Sequence, residues 1–345
     1  ASGDQFISAG RNWDSQLGYF GRINYAFMDK YLFEANLRRD GSSKFPKDLR
    51  WTWFPSFSAG WVFTNEKFMK DLTWLSNGKL RLGWGQTGNA NIGGYKWGSA
   101  MSTMDTSLGM SYRPANMANL DIQWETQEQL NVGLDLGFFN GDLGLTVDWY
   151  KKMSKNMLMP MTLPSIMGTG GNGSSALAAP WGNYGDIENS GLEITINAHP
   201  VRTKDFSWDT DLNFSTNKNK VKSLAGGVAL VGYGQWSDVV SVSEVGKSLY
   251  NFYGYVTDGV YESLEDIETS AKPAKYPVDG KFNRYNTVWV GDIKYKDLNG
   301  DGVIDENDRT NIGSPMPKYT FGWNNTFRYK NFDLNVFING SVGNK

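Results

Sequence analysis

The stretch 17-LGYFGRINYAFMDKYLFEANLRRD-40 reads as two strands joined by a turn. Leu17, Tyr19, Ile23, Tyr25 and Phe27 fall on one side together with Gly21. Gly18, Arg22, Asn24 and Ala26 fall on the other, and Phe20 and Met28 break the pattern. Asp29-Lys30 supplies a two-residue turn, after which Tyr31, Phe33, Ala35 and Leu37 oppose Glu34, Asn36, Arg38 and Asp40. Side chains of a strand point alternately to opposite faces, so this is a hairpin with one apolar and one charged surface.

The same period recurs along the chain. Leu130, Val132, Leu134, Leu136 and Phe138 oppose Gln127, Gln129, Asn131, Gly133 and Asp135. Past an Asn140-Gly141 turn, a strong hairpin signal, Leu143, Leu145, Val147 and Trp149 oppose Asp142, Thr146 and Asp148. Leu192, Ile194 and Ile196 alternate with Glu193, Thr195 and Asn197, and Trp208, Leu212 and Phe214 with Asp209, Asp211 and Asn213. Near the end, Phe321, Trp323 and Phe327 oppose Asn324, Thr326 and Arg328, and Leu334, Val336 and Ile338 oppose Asp333, Asn335 and Asn339. With 51-WTWFPSFSAGWVF-63 and 79-KLRLGWGQT-87 the total is about ten strands, each long enough for a tilted membrane crossing.

Composition agrees with strands and turns: 40 Gly, 14 Trp, 17 Tyr and 19 Phe among 345 residues. The formal net charge is −2 with both signs interspersed, so no polyanion-binding surface is expected and nucleic acid is not a partner. There is no cysteine, which excludes disulfides and thiolate metal sites. No apolar run approaches the 18 or so residues of a spanning helix. Mean hydropathy of −0.47 still suits membrane strands, because half of each faces water.

Two details favour a transmembrane barrel over soluble sandwiches. Aromatics gather at the ends of the apolar faces (Tyr31, Trp51, Trp53, Trp61, Trp149, Trp208, Tyr319 and Tyr329), as two membrane–water interfaces favour. Connections also alternate in length. Short ones at 29–30, 140–141, 199–205 and 330–331 separate long ones at about 88–122, 155–185 and 218–318, matching periplasmic turns and external loops. The fold expected is all-β: an antiparallel transmembrane β-barrel segment over 1–345. Inward Arg22, Glu34, Arg38, Glu128 and Asp135 would line a wide, wet lumen, too wide for ten strands, so the segment belongs to a larger barrel.

Within the last long loop, 297-DLNGDGVIDEND-308 has calcium-loop spacing. Asp297, Asn299, Asp301, the Val303 carbonyl, Asp305 and Asp308 stand at positions 1, 3, 5, 7, 9 and 12, with Gly302 at the sharp turn. Position 12 is Asp in place of the usual bidentate Glu, and Ile304 would pack beneath. A bound Ca2+ would neutralise the carboxylates and clamp an external loop; a metal-free Asn/Asp/Gly turn is the alternative. Trp97, Trp181, Tyr184, Tyr233 and Trp236 lie in Gly-rich loops, where rings can stack on sugars or grip peptide side chains, or simply anchor the loops. Catalytic equipment is poor. The one histidine, His199, sits beside Pro200 in what reads as an exposed turn, 168-GTGGNG-173 lacks a phosphate loop's GK[ST] ending, and no enzyme is expected.

The runs 37-LRRDGSSKF-45, 55-PSFSAGW-61, 79-KLRLGWGQTGN-89, 122-IQWETQEQLNVGLDLGF-138 and 294-KYKDLNGDGVIDENDRTNIGSPMPKYTFGW-323 resemble the SusC/RagA family of TonB-dependent outer-membrane transporters of Bacteroidetes. The resemblance implies a plugged, 22-stranded type of barrel. It also implies a SusD-like surface lipoprotein as lid, energy from the TonB complex, and glycan or peptide substrates. Plug domain and TonB box are not seen in this sequence, so coupling would run through a missing N-terminal region. The second expectation is a calcium-stabilised β-rich adhesin or glycan-binding module without transport; a third, weaker one is an outer-membrane barrel enzyme.

Overall fold

The computed structural model describes residues 13–161, 166, 177–224, 229–234, 239–273 and 288–345. Ten strands form one sheet in strict chain order: β1 (Gln16–Phe27), β2 (Tyr31–Ser42), β3 (Trp51–Val62), β4 (Leu75–Asn89), β5 (Glu125–Phe138), β6 (Leu143–Lys155), β7 (Gly185–Arg202), β8 (Phe206–Leu224), β9 (Tyr319–Tyr329) and β10 (Phe332–Val342). Every neighbouring pair is antiparallel. Such a meander is a stretch of barrel wall, with β1 and β10 as its two edges.

The register shows how the alternation seen in sequence becomes two surfaces. Directly paired residues share a face. One row runs Phe27, Tyr31, Trp61, Leu80, Leu134, Val147, Ile194, Phe214, Phe321, Gly340, crossing all ten strands with no polar atom in its side chains except the Tyr31 hydroxyl and the Trp61 indole N–H. One residue away lies the row Ala26, Leu32, Gly60, Arg81, Gly133, Asp148, Glu193, Ser215, Thr320, Ser341, small or polar from β3 onward. A slip of one residue between any two strands would break both rows at once, so the pattern fixes the register.

No second sheet covers the apolar rows within the described residues. The exposed area is 23049 Å², whereas a compact soluble monomer of 38.6 kDa would expose roughly 14,000 Å². Leu80, Leu82, Trp323, Leu334 and Ile338 remain exposed on the wall. A water-soluble sandwich would bury these residues; a barrel wall presents them to hydrocarbon.

Turns at one end are short, as expected, though two differ in detail from the sequence reading. The first connection is 28–30, and its positive-φ residues are Met28 and Asp29, not Asp29-Lys30. The connection read as 199–205 shrinks to 203–205, because β7 runs on to Arg202 through an irregularity between Ala198 and Val201. Pro200, which has no N–H to pair, falls within that irregularity. The connection 63–74 is longer and is tied back to the first turn by Glu66. Its carboxylate accepts from Lys30 Nζ (2.9 Å), the Tyr31 hydroxyl (2.7 Å) and Trp61 Nε1 (3.3 Å). Those donors, Lys30 foremost, hold its pKa down at about 2. Two interfacial aromatics thus turn their polar tips to one anion while their rings stay on the apolar side.

At the other end the segments 90–124, 156–184 and 225–318 carry their own structure. They hold a hairpin (Met101–Thr106 with Gly109–Pro114), a four-stranded sheet that includes Asn251–Tyr255 and Arg309–Gly313, and the short helix Leu264–Thr269. β7 and β8 are 18 and 19 residues long, well beyond the 9–11 or so that a crossing needs, so they project outward from the membrane.

Candidate functional site

Two surfaces are candidates: the polar face of the wall, and the plate that the long segments build at one end, expected to be the external one. On the wall, Arg81 reaches Asp135 with Nε–Oδ2 at 2.6 Å and Nη2–Oδ1 at 2.9 Å, and Asp148 at 3.0 Å. Asp148 lies two strands from Arg81, with Gly133 of the intervening strand directly between them. An added Cβ at Gly133 would collide with both partners, so glycine here opens the path for a cross-strand ion pair. Nearby, Arg22 donates to Asn36 (2.7 Å), which donates to Glu34 (2.7 Å), and Arg38 pairs with Asp40 at 2.6 Å. These charges neutralise one another locally, which leaves a wettable wall without a concentrated field of one sign.

Of the five residues expected on the lumen side, Arg22, Glu34, Arg38 and Asp135 share the polar face. Glu128 does not. It pairs across the ladder with Met153, two residues beyond Leu130 on the apolar side, where it accepts from Trp84 Nε1 (2.9 Å) and binds Lys155. The correction has a simple cause: at the end of β5 nearer the long connections the otherwise apolar face becomes charged.

The external plate is built around a buried cluster of Phe45, Phe54, Ile92, Ile122 and Trp124. Pro55 explains its position. Proline gives no N–H to the ladder, and the β3–β4 pairing begins only at Ser56. Phe54, just beyond, turns into the opening, and Trp124, 3% exposed, packs on it edge-on at 5.6 Å and on Phe45 at 5.1 Å. Trp124 Nε1 donates to the Arg50 carbonyl at 3.0 Å.

Trp97 and Trp181, expected to grip ligand, pack against this cluster. Asn119 links their backbones: its N–H donates to the Trp97 carbonyl (2.9 Å) and its Nδ2 to that of Trp181 (2.8 Å). Tyr184 is also half-buried, and burial pushes its phenol pKa up. Trp97 and Trp181 thus tie 90–124 to 156–184. Tyr233 is different, 65% exposed on the segment Leu230–Tyr233. Trp236 lies outside the described residues. Among the described rings, Trp97 and Trp181 pack into the cluster while Tyr233 stands exposed. The asparagines Asn116, Asn119 and Asn183, which bridge loop backbones, carried no sequence signal beyond membership of polar loops.

Loop 297–308 closes on itself. Asp297 accepts from Gly300 N (2.6 Å) and Gly302 N (2.7 Å), Asp301 from Val303 N (2.8 Å), and Asp305 from Asn307 N (2.8 Å). Ile304 is buried, as its position predicted. Asp308 is wholly buried and accepts from the N–H groups of Leu298 (2.8 Å) and Asp305 (2.9 Å), and these amides hold its carboxyl below the usual range. Among the described residues no group of three or more Asp, Glu or His side chains converges as a metal would need. Asp297, Asp301, Asp305 and Asp308 all accept from backbone amides, and Asp308 alone is wholly buried.

His199 is on β7, not in a turn. Its Nδ1 lies 2.6 Å from Asp209 Oδ1, and Arg328 donates to the other Asp209 oxygen at 3.0 Å. This is a structural triad joining β7, β8 and β9.

Comparison with known proteins agrees with this architecture. Residues 9–341 match the family model described as "TonB dependent receptor-like, beta-barrel". Among curated proteins, TonB-dependent receptor P3 of Formosa agariphila is 35% identical over 94% of this chain and 31% of its own length. TonB-dependent receptor SusC of Bacteroides thetaiotaomicron is 33% identical over 99% of this chain and 32% of its own. The chain thus spans about a third of the length of these relatives. A solved structure described as the RagAB peptide transporter superposes with a TM-score of 0.77 at 23% identity, covering 96% of this chain and 33% of that one, which shows a shared fold.

Proposed function

The chain belongs to the TonB-dependent receptor-like β-barrel family, and on that premise we propose that it forms part of the wall of an outer-membrane active importer for nutrient oligomers, glycans or peptides. The single observation that carries this reading is the pair of adjacent rows, one apolar across ten consecutive strands and the other small or polar from β3 onward. That arrangement separates hydrocarbon from a hydrated passage. In the proposal, a SusD-like lipoprotein covers the external plate, and the TonB complex acts on a plug held inside the completed barrel. The solved structure named as the RagAB peptide transporter favours the peptide class; the glycan class rests on the family resemblance of the sequence runs quoted above.

The test is uptake of fluorescent glucan and peptide oligomers by cells with and without the full-length protein. Import of one class should disappear in the deletion strain and on collapse of the proton-motive force, while capture at the surface persists when only the force is removed. Capture lost on deletion with no energised uptake in either strain would overturn the importer in favour of an adhesin.

Calcium at 297–308 belongs to the same proposal, as a clamp ordering the external segment. Asp301 and Asp305 would exchange their amide partners for the ion while Asp308 stays in place. Amide hydrogen exchange of 297–308 in the full-length protein should slow on adding millimolar calcium and recover its rate with chelator; identical rates in both would remove the ion from the account.

A further inference from the structure

Between the polar face of β1–β4 and the plate lies a cavity of about 630 Å³. Phe20, Arg22, Arg38, Gln86 and Thr87 line it, together with Trp124 of the buried aromatic cluster. Phe20 is the residue that breaks the alternation of β1. It stands on the polar face, 82% exposed and directly opposite Arg38. One exposed ring carries little meaning alone; here it adjoins two guanidinium groups held ready for an anion.

Both arginines are fixed in the same manner, through Nε. Arg22 donates from Nε to Asn36 Oδ1 at 2.7 Å, and Asn36 is itself held by donating to Glu34 (2.7 Å) and Ser56 Oγ (3.3 Å). Arg38 donates from Nε to the two Asp40 oxygens at 2.7 and 2.6 Å. The Asp40 side chain is 9% exposed and that of Arg38 57%, so the anion lies behind and the cation forward. Among the described residues every hydrogen bond of these two arginines uses Nε, which leaves the terminal nitrogens of each fork open to a ligand. Because each cation already has a carboxylate near it, recognition here rests on directed, preorganised donors and not on a field of one sign.

We propose that this cavity receives the carboxyl end of a peptide. Arg38 takes the terminal carboxylate with its two Nη groups, the bidentate pairing for which the guanidinium fork is shaped. Phe20 packs on the last side chain. Directly opposed residues of neighbouring strands have Cβ atoms about 5 Å apart, and a carboxylate and a side chain that leave one Cα diverge to match. Arg22, diagonal to Arg38 and so roughly 7–8 Å from it, donates to the carbonyl of the preceding residue. A chain end that carries an anion and an apolar group on one atom fits this trio; a neutral sugar offers no carboxylate to Arg38. The inference rests on the peptide arm of the importer reading, and its test separates the two.

Full-length protein in nonionic detergent is titrated with a fluorescent pentapeptide ending in leucine, as the free acid and as the C-terminal amide, and affinity is read by polarisation. The free acid should bind about tenfold more tightly, since the amide leaves Arg38 without its charged acceptor. Arg38→Gln/Asp40→Asn removes the pair as a unit, so no buried carboxylate is left unpaired; it should bring acid and amide to equal affinity with unchanged heat-modifiability in gels. Phe20→Ala should keep the advantage of the acid and lose the preference for leucine over serine at the last position. Equal affinity of the two forms for the native protein, or an advantage that survives Arg38→Gln/Asp40→Asn, would overturn the cavity assignment while leaving a peptide importer in place. Displacement of the acid by an equal concentration of oligouronate would give the arginines to an acidic glycan and overturn the peptide. Binding of neither peptide form would overturn the peptide reading itself, and this site with it.

Discussion

Replacing Leu134 with arginine is expected to cost about 2–4 kcal/mol of stability in a bilayer, the range for a cation on the lipid face near mid-depth. Leu134 is the third of five outward apolar residues on β5 and pairs with Leu80 and Val147, themselves apolar. The same change at Asn131, three residues along and on the opposite face, should cost no more than about 0.5 kcal/mol, as for an ordinary wet surface. Denaturant unfolding of the full-length barrel in lipid vesicles gives both numbers. Equal costs would mean that the two faces of β5 meet the same medium.

Truncation of Trp124 to alanine should release the external plate while leaving the wall intact. The side chain fills the gap where Pro55 ends the β3–β4 ladder, touches Phe45 and Phe54, and donates to the Arg50 carbonyl. Removal of a buried aromatic of this size costs about 3–5 kcal/mol. The loss should appear as faster amide exchange in 90–124 and 156–184, where Trp97 and Trp181 lean on the same cluster. Trp124→Phe should keep most of the protection. Unchanged exchange in both segments after Trp124→Ala would show that the plate is held from elsewhere.

The wall was legible in the sequence because a half-buried strand writes its environment every second residue, and a hairpin such as 17–40 repeats the message on both arms. The message fades where the medium stops being two-sided. Around Gln127, Glu128 and Gln129 all three residues are polar, so nothing local says which faces out, and only counting back from Leu130 puts Glu128 on the outer face. The external plate was obscure for another reason. Trp97 and Trp181 lie in Gly-rich stretches that look free, and what fixes them is Phe45, Ile122 and Asn119, contacts set by tertiary packing with no pattern of their own. The Pro55 and Pro200 positions show the reverse case: a missing N–H marks in the sequence where a ladder must end or slip.

This chain contains no cysteine, so, with any cysteine elsewhere in the full-length protein changed to serine, single cysteines report the environment of each position in turn. A fluorophore placed successively at 130 through 136 on β5, in the full-length protein reconstituted with brominated lipid, tests the central claim directly. Quenching by lipid should be strong at 130, 132, 134 and 136 and weak at 131, 133 and 135, with an aqueous quencher giving the opposite alternation. Shielding of the even series from lipid and water alike, as in a dry interior between two sheets, would contradict the barrel wall.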